Sequence, residues 1–293
     1  MLSNVHEYHK PSSTHEALRL LQRRAVRTVP LAGGTSLLAR PGAASDAVID
    51  AVIDAVIDAV VDLSGLGLDY IRQGNDVIAI GAMTTLETMV NAPILAGYAG
   101  GLLPQAAHHT ATRTIRNTAT LGGSIVACGV STDLVVALLA LEAVVVSASG
   151  ASASLSEVLA FKRSPFAMKL LTKALLPLAL SGWCSAFCRI ARLPSDQAIV
   201  NVATVLRSEG DVCTGIRLAA GGVGHKPLRL LSAERILLGS RLSASDLAQA
   251  AAMQDAEVAP VSDILGSQEY RRAMLGVLLQ RAVRQCQARE SER

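Results

Sequence analysis

The sequence predicts an α/β N-terminal part followed by a smaller α+β C-terminal domain, with a three-stranded antiparallel sheet and a helical bundle. Three observations carry that expectation. Up to residue 165, short apolar strand segments alternate with capped helical ones, as in α/β folds. A Gly, Ser and Ala mixture from Ser147 to Ser156 and a polar break at Lys162-Arg-Ser-Pro165 mark a junction. Beyond it, strand-like segments come first and helical ones follow. With 293 residues, the chain is long enough for two domains and an ample core.

Ser13 or Thr14 caps a helix whose Glu16 stands in the first turn, before the apolar Ala17, Leu18, Leu20 and Leu21. Thr28-Val-Pro-Leu31 then reads as a strand feeding a Gly-Gly turn. From 47 to 62, Ala-Val-Ile-Asp repeats and ends in Ala-Val-Val-Asp, placing Asp50, Asp54, Asp58 and Asp62 at a spacing of four. On a helix these carboxylates would repel, whereas Val and Ile favour strand. A duplicated strand segment forming a surface insertion is the expectation, and no function is assigned to it. Val77-Ile-Ala-Ile-Gly81 is a strand, and Met83-Thr-Thr-Leu-Glu87 caps a helix running towards Asn91. A helix over Gly101 to Thr110, a second Gly-Gly turn, an apolar helix from Ser131 or Thr132 to Ala140 and a strand from Val144 to Ala148 complete the N-terminal part.

In the C-terminal part, strands are read at Phe187–Ala191, Ala198–Ala203 and Thr214–Ala219, the middle one shared between strand and helix. Helices are read from Ser232 to Leu238, from Ser243 or Ser245 to Met253, and from Ser267 to about Gln287. The last helix carries Arg271, Arg272, Arg281, Arg284 and Arg289, expected on its solvated face opposite Met274, Leu275, Leu278, Leu279, Ala282 and Val283.

Composition excludes several classes. A net charge of +3 and 3% aromatic residues give neither the electrostatic footprint nor the stacking platforms of a nucleic-acid binder. Apolar stretches are interrupted, Leu134–Ala148 by Glu142 and Ala167–Leu180 by Lys169, Lys173 and Pro177, so none reaches the ~20 residues of a membrane span. Cys128, Cys184, Cys188, Cys213 and Cys286 contain no C-x-x-C pair, which favours buried free thiols in a reducing cytoplasm over disulfides or a metal site. The N-terminus lacks the apolar region of a signal peptide. The adjacent His108 and His109 are read as surface or capping residues.

Chemistry concentrates in the two glycine turns, Leu31-Ala-Gly-Gly-Thr-Ser-Leu-Leu38 and Thr114-Ile-Arg-Asn-Thr-Ala-Thr-Leu-Gly-Gly-Ser124. Paired glycines let successive amides converge on one point, and the adjoining hydroxyls add donors, so each turn can cradle phosphate oxygens. Two such turns can grip both ends of one pyrophosphate.

These segments, together with Val61-Asp-Leu-Ser64, Ser131-Thr-Asp133, Ile190–Ile199, Gly221-Gly-Val-Gly-His-Lys-Pro-Leu-Arg229 and Ser267–Arg272, occur in the order that resembles the FAD-binding medium subunit of the molybdenum hydroxylase family, the xanthine and carbon monoxide dehydrogenase type. The resemblance spans nearly the whole chain. It implies an FAD-binding domain of the PCMH type over 1–165, with α/β subdomains of about 1–63 and 64–165, and a C-terminal flavoprotein domain over 183–290. It also implies an FAD site made of Leu31, Ala32, Gly33, Gly34, Thr35, Ser36, Leu37 and Leu38, of Thr110, and of Thr120, Leu121, Gly122, Gly123 and Ser124. Asp133 joins them as an acceptor for a ribose or ribityl hydroxyl, or serves as a helix cap.

Leu175, Phe187 and Cys188 are implied near the isoalloxazine, where a thiol in place of the family's frequent lysine would lower the flavin potential. The loop Val126-Ala-Cys-Gly129 departs from the family's usual Asn or His. By the same resemblance no residue here is itself catalytic and none binds metal. Electrons reach FAD from 2Fe-2S clusters in a small partner subunit, fed by molybdopterin in a large one, and leave to NAD or another acceptor. The implied assembly is a dimer of heterotrimers. A self-contained flavin oxidase of the vanillyl-alcohol oxidase type and a flavin-free assembly subunit stand as alternatives.

Overall fold

The structure, a computed structural model, describes residues 5–38, 57–160, 170–253 and 257–291. Asp50 and Asp54 of the repeat and the break at Lys162–Pro165 lie outside the described residues.

Strands β1 (Glu7–His9), β2 (Thr28–Leu31) and β3 (Ala59–Asp62) form a parallel sheet in the order β1-β3-β2. Helix Thr14–Leu21 makes the crossover that parallel pairing requires. Its cap is Ser13, whose Oγ accepts from the Glu16 amide at 3.2 Å, and it buries Ala17 and Leu21. The last unit of the repeat is strand β3; just before it Asp58 accepts from the Arg27 amide, and Asp62 caps the short turn Leu63–Leu66.

The second sheet is antiparallel, ordered β4-β5-β8-β6-β7, from β4 (Ile71–Gln73), β5 (Val77–Gly81), β6 (Val144–Ser147), β7 (Ser152–Ser154) and β8 (Leu171–Pro177). Helices Leu86–Val90, Leu102–His109, Leu121–Val126 and Asp133–Ala140 fill the excursion between β5 and β6. Strand β8 has no counterpart among the strands expected from sequence, because Lys173 and Pro177 break its apolar pattern. It lies in the middle of the sheet, between β5 and β6, so the sheet closes only at Pro177, beyond the expected limit at 165.

The C-terminal sheet, ordered β12-β11-β10-β9, contains β9 (Cys184–Ile190), β10 (Val200–Glu209), β11 (Val212–Gly221) and a two-residue edge strand β12 (Leu228–Arg229) added to the three expected. The middle segment, shared between strand and helix in the sequence, is strand from Val200 onwards. Helices Leu231–Leu237, Ala244–Ala252 and Gln268–Ser291 cover one face, packing on Cys184, Ala186, Cys188, Val202, Leu206, Ile216 and Leu218. The opposite face presents Ala203, Val205 and Ala219, with Phe187 alongside, to helix Asp133–Ala140. All eight residues of that helix are buried, which explains why it is apolar on every side.

One arginine corrects the sequence reading of the last helix. Arg271 is 2% exposed, while Arg272, Arg281, Arg284 and Arg289 are on the surface as expected. Among the described residues, no helix is long and apolar enough to cross a membrane.

Candidate functional site

The first turn leaves β2 at Leu31. Gly34 has φ +71°, a left-handed conformation that favours glycine, and its carbonyl accepts from the Leu38 amide at 2.8 Å, closing the turn. The amides of Gly34, Thr35 and Ser36 and the hydroxyls of Thr35 and Ser36 have no hydrogen-bond partner among the described residues. Gly33 has a different task. A Cβ there would lie 1.8 Å from the Thr118 carbonyl oxygen, so this glycine lets the first turn touch the second segment directly.

The second turn opens helix Leu121–Val126, and Thr120 is its cap, accepting from the Gly123 amide at 3.1 Å. The Leu121 amide donates to Thr84 and the Gly122 amide to Ala82, at 2.9 and 2.8 Å. A Cβ on Gly122 would stand 3.0 Å from Ala82. These contacts change the expected part of Gly122 and Gly123: their amides are engaged within the protein, and Gly122 serves close packing on the residues after β5. Donors available to an anion therefore lie mainly on the first turn, joined by the Ser124 hydroxyl. The exposed Leu38, Ile115 and Val126 flank the two turns. Unpaired amides and hydroxyls beside exposed apolar side chains suit a ligand with an anionic part and a flat apolar part, and FAD has both.

The remaining candidates divide between two locations. Thr110 closes its helix by donating to the Ala106 carbonyl, and Leu175 is half-buried in β8 opposite Ala79 and Val144. Phe187 reaches across the seam between the domains and stacks on His109, with ring centroids 6.1 Å apart. Burial, helped by the nearby Arg189, holds the His109 imidazole below its usual pKa.

Cys188 does not accompany Phe187. Successive strand residues point to opposite faces, so its thiol packs under the long helix and lies 3.5 Å from Gln285 Oε1. Burial pushes that thiol up. By this parity Cys188 lies on the face of the sheet opposite Phe187. Cys128 is also buried, and its carbonyl accepts from Lys226 of the C-terminal domain.

Asp133 is the first residue of its helix, after Thr132 in the cap position, and is 5% exposed. Its carboxylate accepts from Asn201 Nδ2 and stands 3.3 Å from Arg189 Nε, so it clasps the C-terminal sheet. Beyond the other end of the helix, Glu142 pairs with Arg217 at 2.7 Å and Arg229 at 3.2 Å. Local sequence patterns do not reveal these sheet partners, because each lies more than fifty residues from its acid. Asn201, a polar residue between the apolar Val200 and Val202, is a local signal.

Burial raises the Asp133 carboxyl to about 6, against the pull of Arg189 and Asn201. A carboxyl raised above its unfolded value of 3.8 adds stability that is complete below that value and lost as pH rises through about 6. Wild type is expected to lose up to about 3 kcal/mol from this group between those limits. Denaturant titrations at pH 4 and 7 on wild type and Asp133→Asn check this, since the variant should lack that part of the pH dependence. Equal pH dependence in both proteins would refute it.

Two α/β subdomains that meet at paired glycine turns, under a sheet-and-helix domain, define the class as a two-domain flavoprotein subunit. Residues 3–178 match the family described as FAD binding domain in molybdopterin dehydrogenase, and residues 185–286 match the CO dehydrogenase flavoprotein C-terminal domain. The chain belongs to the FAD-binding medium subunits of the molybdenum hydroxylase family, and is an oxidoreductase subunit.

It is 31% identical to the nicotine 6-hydroxylase medium subunit of Paenarthrobacter nicotinovorans over 96% of this chain and 97% of that one. It is 29% identical to the glyceraldehyde dehydrogenase medium chain of Sulfolobus acidocaldarius over 95% and 97%. Among solved structures, a chain of carbon monoxide dehydrogenase from Hydrogenophaga pseudoflava superimposes with a TM-score of 0.87 at 28% identity, covering 97% of this chain and 98% of that one.

Proposed function

We propose that this chain is the flavoprotein subunit of a heteromeric molybdenum hydroxylase, and that it works with a large molybdopterin subunit and a small 2Fe-2S subunit as a dimer of heterotrimers in the cytoplasm. Bound FAD would supply the redox chemistry, electron transfer between the partner's 2Fe-2S clusters and NAD or another acceptor. The chain's own residues bind and orient. Gly34, Thr35 and Ser36 would meet the pyrophosphate through amides and hydroxyls, with Ser124 adding a donor from the second turn. Leu38, Ile115 and Val126 offer apolar surface, and Phe187, on its sheet, brings an aromatic ring to the seam.

The observation that carries this reading is the contact of Gly33 with Thr118, which joins the two turns into one surface. We place the FAD-binding unit from the N-terminus to Pro177, its first subdomain ending near residue 63, and the C-terminal domain over 183–290. Five buried free cysteines favour a reducing compartment.

Purified with its partners, the chain is expected to carry stoichiometric FAD, measured by flavin absorbance after denaturation. Flavin-free material that refuses added FAD would refute the proposal. Co-purifying molybdenum and iron, measured by elemental analysis, would support the assembly. A reductive titration with and without NAD then tests the acceptor.

A further inference from the structure

Arg116 is the buried charge that the binding surface itself leaves unexplained. It is 7% exposed, and its guanidinium works as a fork. Nε donates to Glu87 Oε2 at 2.9 Å, while Nη1 donates to the carbonyls of His108 at 2.9 Å and Ala111 at 3.0 Å. Those carbonyls belong to the end of helix Leu102–His109 and the bend after it, where intrahelical partners run out. Ala111 is held there at φ +53°, a strained conformation for an alanine. Glu87 is held in turn by Arg113 Nε at 3.0 Å, and its carboxyl lies below its usual range, chiefly through the Arg116 hydrogen bond.

The fork fixes one end of the segment that carries the second half of the site. Helix Arg113–Arg116 follows the strained bend. The Ile115 carbonyl accepts from the amides of Thr118 and Ala119 at 3.0 and 2.7 Å, so the position of Arg116 sets that of Thr118. The Thr118 carbonyl is the atom against which Gly33 packs. The Ala119 carbonyl accepts from Leu86, on the same helix as Glu87. An apolar side chain of similar volume would fill this place at lower desolvation cost than a buried ion pair, so packing alone does not account for an arginine here.

We propose that Arg116 is a positioning residue for the flavin site: by locking Glu87 and the His108 and Ala111 carbonyls, it sets where the second glycine segment meets the first, without touching the cofactor. This rests on the chain's binding FAD at the two turns. The test uses the full-length chain, titrated with FAD by calorimetry, with the visible circular dichroism of the bound flavin and the thermal midpoint recorded for each variant. Arg116→Lys keeps the charge beside Glu87 but loses the planar fork, and Arg116→Gln loses the charge as well.

A folded Arg116→Lys protein, with a midpoint near that of wild type, is expected to bind FAD about tenfold more weakly or worse and to show an altered flavin spectrum. Glu87→Gln should fall between it and wild type. A folded variant with wild-type affinity and an unchanged spectrum overturns the proposal. So does failure of both Arg116 variants to fold, which would make the residue a strut of the whole domain. Wild-type protein that binds no FAD overturns the functional reading beneath it, and that outcome is visible before any variant is made.

Discussion

Gly33→Ala is expected to abolish FAD binding. The new Cβ would lie 1.8 Å from the Thr118 oxygen, and its neighbours there are backbone atoms, with the Thr118 carbonyl carbon at 2.6 Å. Ordinary contact needs about 3.5 Å, so the two turns would have to separate by more than roughly 1.5 Å. Rotamer changes offer no relief against a carbonyl. A ligand spanning both turns loses one set of contacts when they part, and retained FAD should fall to about a tenth or less, a loss of at least ~1.4 kcal/mol.

Gly67→Ala is the control. Gly67 has φ +64° with nothing within 4 Å of an added methyl, so that variant tests backbone strain without a clash. It should lower the thermal midpoint and leave FAD content unchanged. Wild-type FAD affinity in Gly33→Ala would show that the contact between the turns is not the binding surface.

Arg271→Met should cost about 2–4 kcal/mol of stability, because it leaves two buried carbonyls without a donor. Nη2 of Arg271 donates to both oxygens of Asp263 at 2.7 Å, and Nη1 donates to the Ile199 carbonyl at 2.5 Å and the Gly222 carbonyl at 3.2 Å. Removing the fork strands the carbonyls of the buried Ile199 and Gly222, while the exposed Asp263 carboxylate returns to water. The effect reaches the domain seam, because the Gly222 amide donates to Val130, in the loop before Asp133. Lysine should not rescue it, since a point charge cannot serve two carbonyls and a carboxylate in one plane. Urea denaturation of both variants is the measurement, and a loss under about 1 kcal/mol in Arg271→Met would refute this account.

Both residues lie in segments that are legible in the sequence, yet in different degrees. Ser13, Thr85 and Ser243 cap their helices as local signals predict, because a cap involves only the first turn. Strand β8 is hidden from such signals because its apolar pattern is broken at Lys173 and its pairing depends on β5 and β6, nearly a hundred and about thirty residues upstream. Arg271 stands at helical spacing from Leu275, Leu278 and Ala282, in line with the apolar stripe of Gln268–Ser291; its charge alone pointed to the solvated face, and the loop that folds over the helix's first turn supplies its partners.

The glycine turns show the same division. Their residue types are enough to point to an anion cradle, but which glycines keep free amides depends on Thr120, Ala82 and Thr84 coming to meet the second turn.

By itself, the sequence determined the alternation of strands and helices, the change of architecture after the junction, and the two glycine segments, because periodicity, capping and backbone freedom act within a few residues. The tertiary structure decided the rest. It placed Gly33 against Thr118, turned Phe187 towards His109 and Cys188 away from it, and tied Asp133 to Arg189 and Asn201. Those outcomes depend on which faces of distant elements are buried together, and burial, unlike propensity, is a property of the assembled core.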